Sequence, residues 1–217
     1  MVFENRVEAG RKLAEHLKHL RDEDVVVLGL PRGGVPVARE VAKNIHAPLD
    51  IIVVRKIGVP TQPELAMGAI GEGDVIVVNR DILKMIQIQH EDFDRIQARE
   101  SLEVRARAMR FRGDRPRISL VDKIALIVDD GIATGSTAQA ACKVARALGA
   151  KKVLLAVPVG SAEAVNMLSK DADEIICLEI PSDFVAVGEW YRNFTPVDDQ
   201  EVIRILQENE SSVDKGV

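Results

Sequence analysis

Two adjacent carboxylates, Asp129 and Asp130, close an apolar run, Ala125-Leu126-Ile127-Val128. Gly131-Ile132-Ala133-Thr134-Gly135-Ser136-Thr137 follows at once, a loop of small residues carrying three hydroxyls. A loop of this kind that opens a helix presents backbone N–H groups and the positive end of the helix dipole, a ready anion site. Thr134, Ser136 and Thr137 would add hydroxyl donors to phosphate oxygens. Carboxylates beside an anion cradle make chemical sense when the ligand is a sugar phosphate. Asp129 and Asp130 then accept hydrogen bonds from vicinal ribose hydroxyls while the loop holds the 5′-phosphate. The plain alternative, a strand end followed by an N-cap, leaves two acids at the tip of a wholly apolar run unexplained.

Two further clusters bear on the same chemistry. Leu30-Pro31-Arg32-Gly33-Gly34-Val35-Pro36 follows the apolar run Val25–Leu30, and Arg55-Lys56-Ile57-Gly58-Val59-Pro60 follows Asp50–Val54. Alone, the first is a strand-to-helix turn and the second an exposed basic pair. Beside the acid pair both read as the neutralising side of a site for a strongly anionic group. The glycines admit close backbone approach, Arg32 suits bidentate phosphate contact, and Lys56 supplies a mobile point charge.

The elements that must position these residues are visible as alternating short apolar runs and longer amphipathic ones. Val25–Leu30, Asp50–Val54, Lys123–Val128, Val153–Val157 and Glu174–Leu178 read as buried strands. Helices are expected over Arg6–Leu20, Gly33–Ile45, Gly135–Leu148 (ended by Gly149) and Ala162–Leu168. Strand–helix–strand crossovers of this length give an α/β fold, a doubly wound parallel sheet with helices on both faces. With only 3% aromatic residues the core must be Val, Ile, Leu and Ala, as in parallel sheets.

Between the second and third strands lie about seventy residues, far beyond the dozen or so a crossover needs. A hairpin is expected there, Ala66–Ile70 and Val75–Val78, followed by one long polar helix from Arg80 to Arg112. Residues 80–117 hold ten Lys/Arg against seven Asp/Glu, whereas 161–217 hold four against thirteen. The insertion is the cationic part of an acidic chain, and its basic helix either grips phosphates or is a solvated face. The net charge of −5 gives no general attraction to nucleic acid. No apolar run reaches the roughly 20 residues of a membrane span, and the charged N-terminus does not resemble a secretory signal. Cys142 and Cys177 sit in apolar segments, which suggests reduced thiols in a cytoplasmic protein. His16, His19, His46 and His90 occupy helix or helix-end contexts, where surface or capping roles are expected.

The acid pair and its loop resemble the phosphoribosyl pyrophosphate (PRPP) signature of type I phosphoribosyltransferases, and the resemblance extends from about Val25 to Leu178. The LPRGGVP segment resembles that family's pyrophosphate loop, in which a non-proline cis peptide is common; Pro31–Arg32 is the candidate bond. Arg55 to Pro60 is similar to the segment preceding the mobile loop of adenine phosphoribosyltransferases. The resemblance implies a Rossmann-like core with a hood subdomain. Core is expected over about 21–57 and 118–180, hood over 58–117 and 181–197, and a terminal helix over 198–210. It implies transfer of phosphoribose from PRPP to a nitrogenous acceptor with release of pyrophosphate. Asp129, Asp130, Arg55 and Lys56 would be catalytic, Gly131 to Thr137 would bind the ribose 5-phosphate, and Pro31, Arg32, Gly33, Gly34, Arg55 and Lys56 would bind pyrophosphate. Mg²⁺ would arrive on PRPP near Asp129 and Asp130, without a dedicated protein cage. A homodimer follows by family precedent.

Ala133 stands where 6-oxopurine enzymes carry an aspartate, which argues against hypoxanthine-guanine chemistry. The segment Pro181–Phe194 falls where the family places part of its nucleobase hood. Phe184, Val185, Trp190 and Tyr191 there are candidates for contacting the acceptor, or else plug the seam between hood and core. Two other readings stay open. One is a non-catalytic PRPP or nucleotide sensor with Arg95–Arg112 as its partner surface. The other is an α/β phosphatase using the paired acids, which leaves the hydroxyl loop and the LPRGGVP turn without a purpose.

Overall fold

The computed structural model describes residues 2–59, 62–86 and 90–213. Its centre is a five-stranded parallel sheet built from β1 (Val25–Gly29), β2 (Leu49–Ile51), β6 (Ile124–Val128), β7 (Lys152–Val159) and β8 (Glu174–Glu179), in the order β2-β1-β6-β7-β8. β1, β6 and β7 are nearly continuous apolar runs because both faces are covered, whereas β8, expected to be buried, lies at the sheet edge and is only partly buried along its length. On one face Val25, Val27, Leu126 and Leu154 pack against α1 (Arg6–Glu15), α2 (Gly34–Ile45) and α7 (Asp199–Val213). On the other, Val26, Leu28, Ile127 and Leu155 meet α5 (Ser136–Ala147) and α6 (Ala162–Leu168). Gly149, at φ 92°, follows α5 in the left-handed conformation that glycine adopts without strain.

Strand order reverses between β1 and β6. In open α/β sheets the crevice beyond the carboxyl ends of the strands at such a reversal is where ligands bind. The loops after β1 and β6 are the Pro31–Gly34 and Asp129–Thr137 segments.

The insertion forms an antiparallel sheet of β3 (Val54–Val59), β4 (Gln62–Gly71) and β5 (Val75–Val78). Two helices follow, α3 (Arg80–Ile86) and α4 (His90–Arg112). Gly71 seats this sheet on α5: a Cβ there would lie 2.2 Å from Cγ1 of Val144. Val104, Ala108 and Phe111 of α4 join the core cluster that also holds Ile57, Met67 and the Val202, Ile205 and Leu206 side chains of α7.

Several expectations need correcting. Asp50–Val54 is not one strand: β2 stops at Ile51 and β3 begins at Val54 in the other sheet. The ladder is interrupted because remote side chains take its groups. Val53 N–H donates to Glu72 Oε1, and Arg112 Nη2 donates to the Ile51 carbonyl. The antiparallel sheet therefore starts inside the stretch expected to be core. The basic helix expected over 80–112 is two helices, and residues 87–89 between them lie outside the described ones. The first helix ends at Glu15, and a separate 3-10 turn covers Lys18–Leu20. The terminal helix, expected over 198–210, spans Asp199–Val213, and residues 214–217 lie outside the described ones.

Candidate functional site

β6 releases Asp129 and Asp130 at the strand reversal. Asp129 Oδ1 accepts the Asp130 N–H at 2.9 Å. Loss of hydration raises the Asp129 carboxyl well above the ordinary carboxylate range, and the negative charge of Asp130 adds to the effect. The Asp130 carboxylate receives Nε of Arg6 at 2.7 Å, with both side chains largely enclosed. Arg6 in turn stacks its guanidinium 3.9 Å from the Phe194 ring centroid and donates to the Thr195 carbonyl at 2.8 Å. Tyr191 donates its hydroxyl to the Asp130 carbonyl at 2.6 Å. The acid pair is thus held from outside its own loop, by the N-terminal helix and the 191–195 segment. Arg6 had no signal in the sequence, since it lies 124 positions from its partner.

The hydroxyl loop behaves as two parts. Gly131 and Ile132 face inward: Ile132 is buried, its N–H donates to the Val159 carbonyl, and Gly131 lies under Val187, whose Cγ1 would be 2.6 Å from an added Cβ. Ala133, Thr134 and Thr137 are exposed, Gly135 turns at φ 73°, and Ser136 opens α5. Thr134 and Ser136 exchange a hydroxyl contact at 3.2 Å. Ser161 supports the loop from behind by donating to the Ala133 carbonyl at 2.7 Å. The first turn of α5 and the two hydroxyls form the kind of donor array that a phosphate accepts.

Opposite lies the Pro31–Gly34 turn, with a cis peptide bond between Pro31 and Arg32. Its glycines serve packing. A Cβ on Gly33 would meet Asp130 Oδ2 at 2.1 Å, and one on Gly34 would meet the Val128 carbonyl oxygen at 2.5 Å and Asp129 Cα at 2.8 Å. The turn and the acid pair therefore touch through missing side chains. Arg32 and Arg110 both donate to Asp199 at the start of α7, at 3.3 and 2.9 Å. The Arg110 hydrogen bond, helped by Arg32, holds the Asp199 carboxyl below its usual range.

Arg55 and Lys56 lie on β3 rather than in a loop. A cavity of about 670 Å³ lies between this strand, the Pro31 turn and α4, lined among others by Pro31, Arg55, Lys56, Arg99, Arg107 and Thr137. A second, of about 900 Å³, opens between β4, β5, α3 and α5, with Thr134, Ser136, Lys56, Lys143 and Asp81 on its walls. Lys56 borders both. Pro60, the end of the basic segment, lies outside the described residues.

Phe184, Val185, Trp190 and Tyr191 line neither cavity. Tyr191 is buried with Phe3 and Phe194, at ring separations of 5.6 and 5.0 Å, and Phe184 and Trp190 pack against the same cluster. Trp190 Nε1 is buried and has no hydrogen-bond partner. Val185 is 75% exposed.

No group of three or more His, Cys, Asp or Glu side chains among the described residues is arranged to hold a metal ion. Nor is any helix of the described residues long and apolar enough to cross a membrane.

Comparison with known proteins gives the family. A family model, the phosphoribosyl transferase domain, matches residues 4–194. "Putative phosphoribosyl transferase Rv0571c" of Mycobacterium tuberculosis is 55% identical over 205 residues, which are 94% of this chain and 46% of that protein. The chain thus spans about half the length of the curated relatives it matches. The crystal structure of TT1426 from Thermus thermophilus superposes with a TM-score of 0.90 at 44% identity, covering 96% of this chain and 99% of that one. A purine phosphoribosyltransferase from Pyrococcus horikoshii gives 0.47 at 19% identity over 89% and 93%. The chain belongs to the phosphoribosyl transferase family.

Proposed function

We propose that this member of the family moves the 5-phosphoribosyl group of PRPP onto a nitrogenous acceptor and releases pyrophosphate. The observation that carries the reading is the placement, at one strand reversal, of a carboxylate pair, a hydroxyl-bearing helix start and a cation-lined cavity. The α5 start and its hydroxyls take the 5′-phosphate, and Asp129 and Asp130 take the ribose hydroxyls. The Pro31–Gly34 turn, Arg55 and Lys56 face the pyrophosphate. The acceptor nitrogen attacks C1 as the C1–O bond breaks, and the pyrophosphate departs with the bonding electrons. The proton left on the acceptor nitrogen is then released. Positive charge develops on the sugar and negative charge on the leaving oxygen, so fixed charges on both sides lower the barrier.

A magnesium ion fits the donor set as a passenger of the substrate. Two adjacent carboxylates, one already paired with Arg6, make no cage, and substrate oxygens would complete the coordination. When bound, the ion would neutralise part of the diphosphate charge. Residues 181–197 are assigned to the acceptor side. Val187 lies over Gly131, and Phe184 and Val185 lead into that crossing while Trp190 and Tyr191 support it. The reading also takes the protein to be a cytoplasmic homodimer acting on small molecules rather than nucleic acid.

The test is pyrophosphate release from PRPP and Mg²⁺, screened across purines, pyrimidines and other small amines. Release that depends on one acceptor is expected. Tight PRPP binding without release for any acceptor would replace the transferase with a PRPP sensor.

A further inference from the structure

The sequence leaves the basic helix as either a phosphate grip or a solvated face, and in the fold α4 forms one wall of the cavity beside Arg55 and Lys56. Three of its residues have geometry that a solvated helix face does not require. Arg107 is half-buried and points at the Pro31 turn, with Nη2 3.5 Å from the Pro31 carbonyl. Among the described residues no carboxylate forms an ion pair with it. Loss of hydration lowers its pKa, and the nearby charges of Arg32, Arg55 and Arg110 lower it further against the opposing charge of Asp199. Those three arginines are each paired with Asp199 or Glu100, whereas the half-buried Arg107 guanidinium reaches only a carbonyl, a charge that a bound polyanion would balance.

Glu100, roughly two helical turns earlier, is buried and receives Nε of Arg55 on one carboxylate oxygen and Arg99 on the other, the latter at 2.9 Å. It fixes where the Arg55 guanidinium lies. Arg112 anchors the end of the helix in the core through Asp50 and Glu72. Cations meant only for solubility would point outward, as Arg95 does, 79% exposed and paired with Asp92 of its own helix.

We propose that α4 is a working wall of the leaving-group site, with Arg107 contacting the departing diphosphate and Glu100 acting as a positioning residue for Arg55. The inference rests on the transferase reading above and adds its missing charge. The ligand class is a condensed phosphate, for which a planar guanidinium offers paired donors. Arg107 stabilises the negative charge that accumulates on the bridging oxygen as the C1–O bond breaks.

The experiment is calorimetric titration of the full chain with inorganic pyrophosphate, with and without Mg²⁺. Loss of a charge-assisted hydrogen bond predicts that Arg107→Gln weakens binding by about 10- to 100-fold. Arg95→Gln, which removes the same charge from an exposed position on the same helix, should leave affinity within about twofold, since exposed charges are screened. Glu100→Gln should weaken binding in the parent but have little effect in an Arg55→Gln background, a non-additivity that a merely structural role would not produce. If Arg107→Gln lowers the melting temperature, Arg107→Met, which keeps the stem, takes its place. Equal affinity of parent and folded Arg107 variants would overturn the inference and leave the transferase reading standing. No binding of pyrophosphate by the parent would overturn both.

Discussion

Arg112 offers the sharpest quantitative test of how the insertion is held. Its side chain is 7% exposed, against 6% for Asp50 and 8% for Glu72. Nε donates to Asp50 Oδ1 at 2.9 Å, both terminal nitrogens reach Glu72, and Nη2 also donates to the Ile51 carbonyl at 3.2 Å. The network joins the end of α4 to the end of β2 and to the turn between β4 and β5. Removing one member of a buried ionic group strands the others, at a cost of about 3–5 kcal/mol. The carboxylates would keep some partners, since Asp50 accepts the Ile51 and Ile118 N–H groups and Glu72 accepts Val53. Arg112→Met is therefore expected at the lower end, about 3 kcal/mol. With a urea dependence of roughly 1–3 kcal/mol per molar, the unfolding midpoint should fall by about 1–3 M. Arg112→Lys keeps the charge but cannot make all of these bonds, and should lie between the two. Pyrophosphate affinity should fall with Arg112→Met even where the chain is still folded, because Arg107 and Glu100 ride on the same helix. An Arg112→Met chain within about 0.5 kcal/mol of the parent, the range of an ordinary surface substitution, would refute the reasoning.

Other residues give independent tests. The raised carboxyl of Asp129 means its ionised form costs stability at neutral pH; that cost is absent below the unfolded value near 3.9, grows as pH rises through the folded value, and is then constant. Asp129→Asn, which keeps the bond to the Asp130 N–H, should thus melt higher than the parent at about pH 7, with the advantage shrinking towards about pH 4, while PRPP binding is lost. A lower melting temperature at neutral pH would count against that sign. Gly33→Ala is compatible with the backbone at φ −62°, so its cost is purely steric. It should displace Asp130, lower stability by about 1–3 kcal/mol and abolish PRPP binding; wild-type behaviour in both assays would contradict the packing. Tyr191→Phe removes the hydroxyl bond to the Asp130 carbonyl and should cost about 0.5–1.5 kcal/mol in urea unfolding, with no loss expected only if that bond is absent in solution.

How far the sequence revealed this molecule depends on how local each signal is. Val25–Leu30 and Lys123–Val128 read as buried parallel strands because both faces are covered and nearly every position is apolar. Gly149 marked the end of α5 because the left-handed turn favours glycine. Asp129 to Thr137 was legible as a unit since strand, acids, hydroxyls and helix start are contiguous. Asp50–Val54 misled because what splits it, Glu72 and Arg112, comes from elsewhere in the chain and leaves no mark on the pattern of the segment. Arg6 and Glu100 were invisible for the same reason, and Arg107 could not be singled out within the basic helix. Each touches a partner far away in sequence, and an arginine on a polar helix has the same local signature whether it faces water or a cavity. Gly33 and Gly34 also do something the segment alone does not reveal: their missing side chains make room for the acid pair.

The central claim is that the paired carboxylates, the hydroxyl loop and the cationic cavity form one PRPP site. Calorimetric titration of the parent and of Asp130→Asn with PRPP and Mg²⁺ tests it most directly. Saturable binding by the parent is predicted, weakened at least about tenfold in a variant that remains folded, since a hydrogen bond to a charged group is worth about 1.5–3 kcal/mol. No binding by the parent, or equal binding by both, would contradict it.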